Sequence, residues 1–183
     1  MRTFEWAIES IVSSHPDLYL EHCVVMAVAL MSQYSTSPCE FIVECEGFDL
    51  PLLKGETSFG IKVSWNAQTA VKAQLVWQTE QRKAITERAA VALAALLFAR
   101  LFTDGKMRVT RQGEHADYWL SHLQCALEVS GTENYHELSR RHREKVVQAL
   151  SNPLRWDGYV VICCFAKSQK FIRWSYHQQG DAN

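Results

Sequence analysis

The stretch His115–Gly131, HADYWLSHLQCALEVSG, decides how the second half of the chain is interpreted. Two runs of β-favouring residues flank four residues that can form a turn, and this pattern predicts a β-hairpin. A symmetric turn pairs Leu120 with Cys125. The same register places Asp117 opposite Glu128, and two like charges in facing positions repel each other unless a cation or a proton lies between them. The hairpin therefore predicts a pair of facing acids whose repulsion is relieved by a cation or a proton between them.

The two faces of this hairpin are predicted to differ, because side chains alternate along a strand. The face that carries the acids is expected to hold Asp117, Trp119, Ala126, Glu128 and Ser130. The opposite face is apolar. Trp119 is therefore in position to contact a substrate bound beside the acids.

Composition favours one packed domain, with or without an appendage. The chain has 183 residues, of which 48% are hydrophobic and 11% aromatic, enough for a sizeable core. Its richest apolar run, Ala89–Phe102, is interrupted by Arg100 and predicts a buried helix rather than a membrane span. The N-terminus carries acids where a signal peptide needs an apolar region, so we expect a cytoplasmic protein. The six cysteines form no CxxC pair and are expected to be reduced and mostly buried.

Charge is unevenly distributed along the chain. The net charge is −1, but residues 1–104 carry −4 and residues 105–175 carry +4. A protein that binds nucleic acid on its own is usually more basic than this. The asymmetry allows a polyanion on the C-terminal half and does not require one.

The N-terminal third predicts structure but no site. Apolar spacing over Phe4–Val12 indicates a short amphipathic helix. Leu18–Tyr34 is apolar enough for a helix or a strand, and the strand-like segment Glu40–Glu46 after it favours a hairpin. Gly60–Trp65 alternates as a further strand. We expect residues 1–66 to form a helix and β-hairpin extension that is structural or contacts a partner.

Two helices are predicted next, over Ala67–Trp77 and from Gln81 to Phe102, the second with Thr79 as its N-cap. Glu87 enters this second helix just before its apolar part. A carboxylate at such a place is either a solvated residue at the helix end or a ligand directed at a site. Both interpretations remain open from the helix alone.

The remaining elements follow in a simple order. Besides the opening hairpin and a tight turn at Gly113 and Glu114, they are a strand over Lys106–Gln112, a helix over Tyr135–Leu150, a buried strand over Gly158–Ala166 and a final edge strand over Lys170–His177.

From residue 81 onward, the order helix, three strands, helix, strand, with acids at Glu87, Asp117 and Glu128, resembles the core of the PD-(D/E)xK nuclease superfamily. The resemblance implies an α/β fold in which a mixed central sheet is flanked by helices, with an αβββαβ nuclease-like core over residues 67–183. In that superfamily the Asp and the strand Glu bind a divalent metal together with the carbonyl that follows the Glu, here that of Val129. It thus implies that Glu87, Asp117 and Glu128 hold Mg²⁺, or Mn²⁺ in its place, and that Asp117 and Glu128 are catalytic.

The chain departs from the family pattern at Ser130, the position where the superfamily has its lysine. A hydroxyl cannot supply the positive charge that orients water and stabilises the transition state. Some members carry this lysine on a neighbouring element. Helix Tyr135–Leu150 has suitable residues, since Arg141, Lys145 and Gln148 share one face. We expect Lys145 or Arg141 to supply the charge and Arg141 and Gln148 to bind substrate, unless this is an ordinary solvated helix face.

Two functions follow from the resemblance. The first is a metal-dependent phosphodiesterase that acts on DNA, as in a bacterial restriction or phage-defence system. The second is an inactive nuclease-like fold that serves as a subunit or interaction module of a larger complex. The apolar N-terminal third favours assembly as a homo-oligomer or with a protein partner, and no membrane partner is expected.

Overall fold

Eight strands form one mixed sheet in the computed structural model, which describes residues 1–110 and 116–180. The strands are β1 (Thr3–Ala7), β2 (Cys39–Glu46), β3 (Ser58–Ser64), β4 (Met107–Val109), β5 (Tyr118–Leu120), β6 (Cys125–Thr132), β7 (Asp157–Phe165) and β8 (Lys170–His177). Their order in the sheet is β1-β3-β2-β8-β7-β6-β5-β4. β6 and β7 are parallel, as are β2 and β8, whereas β4, β5 and β6 are antiparallel neighbours. The predicted turn at Gly113 and Glu114 lies outside the described residues.

The described residues form five α-helices that pack against this sheet, and the α/β class expected from the sequence is confirmed. They are α1 (Ile11–Ser14), α2 (Glu21–Met31), α3 (Ala67–Thr79), α4 (Arg82–Leu101) and α5 (Leu138–Leu150). The main core lies between one face of the sheet and α2 and α4, with α3 packed on α2. α5 lies alone on the opposite face, where Leu138 and Ala149 contact apolar residues of β7. The sheet thus separates a large core from a smaller one.

The central position of α4 follows from its sequence. Its small and aliphatic residues from Ala89 to Phe98 are all buried, as expected for a helix that is apolar almost all round.

The predicted N-cap at Thr79 is wrong. α3 runs on to Thr79, and α4 starts after Gln81 without a side-chain cap, so the link between the two helices is shorter than expected.

The register predicted for the hairpin is confirmed. Leu120 pairs with Cys125, and Tyr118 pairs with Leu127. Leu120 and Leu127 point into the main core, while Trp119 and Ala126 lie on the other face. Alternation therefore fixed this register, because a shift by one residue would have moved Leu120 and Leu127 out of the main core to the other face of the sheet.

Two predictions for the N-terminal third are wrong. Phe4–Val12 is not one helix: β1 pairs in parallel with β3, and only Ile11–Ser14 becomes α-helical. Leu18–Tyr34 is not a strand, because its centre forms α2. This helix is buried on nearly all sides, so it shows no helical period that could distinguish it from a strand. The antiparallel hairpin consists of β2 and β3 instead.

The prediction that Lys170–His177 forms an edge strand is also wrong. It is a strand, but β8 lies between β7 and β2 in the middle of the sheet. Strands from residues 1–66 and from residues 67–183 therefore share one sheet. The division of the chain into an extension and a core remains a prediction.

Two further expectations concern membrane-spanning helices and the cysteines. In the described part of the chain, none of the helices combines the length and apolarity needed to cross a membrane. All six cysteines lie in the described residues with free thiols, and the expectation that they are mostly buried is confirmed.

The contact between α4 and β6 depends on Gly131. A Cβ atom at this position would overlap the backbone carbonyl of Thr86 on α4. We expect Gly131→Ala to lower the free energy of unfolding by about 2 kcal/mol, because neither backbone can move without disturbing the main core. Urea denaturation measures this change. Gln74→Ala, at an exposed position on α3 far from this contact, is the control and is expected to leave the free energy of unfolding nearly unchanged, so an equal loss in both variants would contradict the account.

Candidate functional site

Asp117, Glu128 and Lys145 converge on the face of the sheet that α5 covers. The Lys145 ammonium nitrogen lies 2.8 Å from Asp117 Oδ2 and 2.5 Å from Glu128 Oε2. Glu128 is fully enclosed, with 2% of its side chain exposed, whereas 38% of the Asp117 side chain is exposed. Solvent and ligands therefore reach this cluster, which we call the acid–lysine cluster, from the side of Asp117.

The backbone of the hairpin holds the two carboxylates in place. Asp117 directly precedes β5, and its N–H donates to Glu128 Oε1 over 3.1 Å. In return, Asp117 Oδ2 accepts a hydrogen bond of 3.0 Å from the N–H of Val129. Each acid is thus tied to the strand that carries the other. This crossed pairing orients both carboxylates toward α5.

The electrostatics of the cluster follow from burial and crowding. Burial, and next the charge of Asp117, raise the pKa of Glu128 to about 7 even though Lys145 opposes the shift. Burial also disfavours the charged form of Lys145. The hydrogen bonds and charges of Asp117 and Glu128 outweigh this effect and raise the pKa of Lys145. The cluster at neutral pH therefore holds a firmly charged ammonium and a carboxyl that is close to its own pKa.

A second polar group lies at the end of β6, around Arg141. Arg141 Nη1 donates to Ser130 Oγ over 3.2 Å and to Glu87 Oε1 over 3.4 Å, and its Nε donates to Glu137 Oε2 over 2.9 Å. Glu87 Oε2 also accepts a hydrogen bond from the N–H of Gly131 over 3.2 Å. Arg141 thus places a guanidinium beside Ser130, while Lys145 meets the acids.

The structure does not bring all three predicted metal ligands together. Within residues 1–110 and 116–180, no group of three or more His, Cys, Asp or Glu side chains is close enough to hold a metal ion. Asp117 and Glu128 are joined through Lys145, whereas Glu87 is bound to Gly131 and Arg141. Glu87 and Asp117 do line one cleft of about 260 Å³. A role for Glu87 in metal binding stays a prediction.

Trp119 and Gln148, two residues predicted to contact substrate, differ in their exposure to solvent. Trp119 is only 7% exposed and packs edge-on against Trp156, with 5.1 Å between the ring centroids. It therefore offers little surface to a substrate. Gln148 is exposed on α5, three residues beyond Lys145, and its contact with substrate stays a prediction.

A pair of histidines between α5 and β8, one buried and one half-buried, was missed from the sequence. His142 Nε2 lies 2.6 Å from Ser175 Oγ on β8, and His177 Nε2 lies 2.9 Å from the same oxygen. Burial, reinforced by the nearby charge of Arg173, lowers the pKa of His142. The spacing of His142 from Leu138, one helical turn, was the available signal that it faces inward.

No protein-family model, curated protein or solved structure matches the chain.

The high pKa of Glu128 predicts a pH-dependent stability. The folded chain binds the Glu128 proton more tightly than the unfolded chain, for which the usual pKa is 4.5. The stability that this tighter proton binding adds is fully present below pH 4.5 and is lost as the pH rises through about 7. The free energy of unfolding of the wild type therefore falls by on the order of 3 kcal/mol between these two pH values. Glu128→Gln removes the titrating group and flattens this part of the curve. Urea denaturation of both proteins across this pH range measures the difference, and parallel curves would contradict the assignment.

Proposed function

We propose that the chain is a metal-dependent phosphodiesterase with a PD-(D/E)xK nuclease-like core and that its substrate is DNA. The order of elements from α4 to β7, namely helix, three strands, helix and strand, supports the proposal. This is the order of the superfamily core that the sequence resembles. Fold alone does not establish an activity, so the proposal depends on the acid–lysine cluster. A role in bacterial restriction or phage defence belongs to the same proposal.

One observation carries the proposal: the Lys145 ammonium lies within hydrogen-bond distance of both Asp117 and Glu128. The superfamily combines an Asp, a Glu and a Lys, with the Lys two residues after the Glu. Ser130 stands at that position here, and α5 brings a lysine to the two acids from another direction. The three residue types are therefore present in one cluster although their spacing along the chain differs.

The acid–lysine cluster has the donor chemistry for Mg²⁺ or Mn²⁺. Magnesium is commonly held by one or two carboxylates and keeps several of its waters, so Asp117 and Glu128 suffice without a third acid. The carbonyl of Val129 is the third ligand that the superfamily pattern provides. When bound, such a metal lowers the pKa of a coordinated water and neutralises charge that develops on the phosphate.

The residues of the chain supply the remaining functions. Lys145 stays protonated at neutral pH, so its ammonium can orient a water and stabilise negative charge on the phosphate. Arg141 is suited to bind a phosphate oxygen through its planar guanidinium, provided that it leaves Glu87 or Glu137.

A second function is favoured by the same contact. Lys145 already compensates the two acids, so a cation is present between them without any metal. In an inactive nuclease-like fold this ion pair would be purely structural, and the chain would serve as a subunit or an interaction module. Metal binding distinguishes the two functions, because only the enzyme needs the carboxylates to exchange Lys145 for a divalent ion.

Cleavage of plasmid and single-stranded DNA by the purified chain with Mg²⁺ or Mn²⁺ tests the proposal. We expect Asp117→Ala, Glu128→Ala and Lys145→Ala each to lower the cleavage rate by about 100-fold or more, because each removes a charge from the reacting centre. Circular dichroism establishes that the variants are folded. Glu80→Ala and Lys72→Ala remove exposed charges elsewhere and are expected to leave the rate unchanged.

Titration calorimetry with Mn²⁺ separates the two functions. The enzyme is expected to bind the metal in a manner that depends on Asp117. Absence of both cleavage and metal binding would reject the phosphodiesterase and leave the inactive module. Cleavage that persists in the Asp117 and Glu128 variants would show that the activity does not belong to this site.

A further inference from the structure

Four clefts follow one another along the rim of the sheet where β6 and β7 end and where β2 and β8 begin. The first, of about 260 Å³, is lined by Asp117 and Glu87, and Glu87 also lines the second, of about 380 Å³. Glu133 connects the second cleft to a third of about 630 Å³. Lys167 connects the third to a fourth of about 530 Å³. We call this series of adjacent clefts the rim groove.

The glutamates of the rim groove are already compensated by cations. Arg82 donates to both carboxylate oxygens of Glu133 from one edge of its guanidinium, through Nε at 2.8 Å and Nη2 at 2.5 Å, and its guanidinium carbon lies 3.7 Å from the centre of the Trp77 ring. Arg141 pairs with both Glu87 and Glu137, as described above. In the fourth cleft, Lys62 lies 3.1 Å from Glu40. These acids therefore present little free negative charge to a ligand.

Three lysines that line the rim groove form no ion pair with any described residue. They are Lys83 in the first turn of α4, Lys167 in the turn between β7 and β8, and Lys170 at the start of β8. Counted over the four clefts, the lining residues include seven Lys or Arg and five Asp or Glu, a net charge of +2. The whole chain carries −1, so the groove is positive against a negative remainder. This distribution favours a polyanion along the groove.

An exposed aromatic ring lies in the third cleft, between the lysines. Tyr135 is 41% exposed, and its ring packs edge-on against Phe171, with 6.2 Å between the centroids. Phe171 is buried in the small core under α5, so the tyrosine has a rigid support. A supported and accessible ring is a suitable platform for a nucleic-acid base, because every base has a flat face that can stack.

We propose that the rim groove binds single-stranded DNA, with phosphates on Lys83, Lys167 and Lys170 and a base stacked on Tyr135. A single strand fits these features because its bases are free to stack, whereas the bases of a duplex are paired and enclosed. The strand would lead from the fourth cleft past Tyr135 to Asp117. The inference rests on the proposed function only for the cleavage of that strand, and the binding itself can be tested alone.

Fluorescence anisotropy in EDTA measures this binding without cleavage, with a labelled single strand of about 20 nucleotides, which exceeds the usual site size. We expect Lys83→Gln, Lys167→Gln and Lys170→Gln combined in one variant to weaken binding by about tenfold or more at low salt and to reduce the slope of log K against log salt by about 2. Tyr135→Ala is expected to weaken binding by about tenfold, and Tyr135→Phe to retain it.

The matched control carries Lys54→Gln, Lys72→Gln and Lys106→Gln, which remove the same charge from exposed positions outside the rim groove. It is expected to bind as the wild type does, as is Tyr19→Ala at another exposed tyrosine. Equal weakening in both triple variants would show non-specific attraction and overturn the proposal. Absence of binding by the wild type, or tighter binding of the corresponding duplex, would overturn it as well.

The outcome for binding is distinguishable from the outcome for catalysis. Binding that depends on the groove lysines in a chain that cuts no DNA with Mg²⁺ or Mn²⁺ would support the rim groove and reject the phosphodiesterase. Cleavage that is unaffected by the groove variants would support the phosphodiesterase and reject the groove as its route to substrate.

Discussion

The burial of Glu128 beside Asp117 is the constraint on which the site depends. Two carboxylates this close repel each other, and one of them is shut away from water, so the fold needs a proton or a cation between them. Lys145 supplies the cation, because α5 packs across β6 where Glu128 lies. Removal of one partner from such a cluster leaves an uncompensated buried charge, which usually costs more than the pair contributes. The position of α5 and the charge balance of the site are therefore linked.

α4 and β6 define the other side of the site. Their close approach at Gly131 lets Glu87 reach the backbone of β6, where Arg141 closes the gap from α5. Two cations on one helix thus face two groups of acids, one at the middle of β6 and one at its end. The rim groove begins between these groups, so the enclosed acid–lysine cluster opens onto the basic rim of the sheet.

The hairpin and its acids could be predicted because a period of two leaves only one register that buries Leu120 and Leu127. The spacing along α5 placed Arg141 and Lys145 on one face, but which of them meets the acids depends on how the helix crosses the sheet. In the same way, the packing of α4 on β6 places Glu87 beside the N–H of Gly131 and not beside Asp117 and Glu128. The failure at α2 has another cause, since a helix buried on nearly all sides shows no period. The central position of β8 arises from its pairing with β2, a contact between distant parts of the chain.

A crystal structure of the wild-type chain soaked with Mn²⁺ tests the central claim most directly, since anomalous scattering locates the metal independently of any activity. The account predicts an anomalous peak about 2 Å from carboxylate oxygens of Asp117 and Glu128, with the Lys145 ammonium displaced from between them. An ammonium that still bridges the two acids, with no peak at the site, would contradict it.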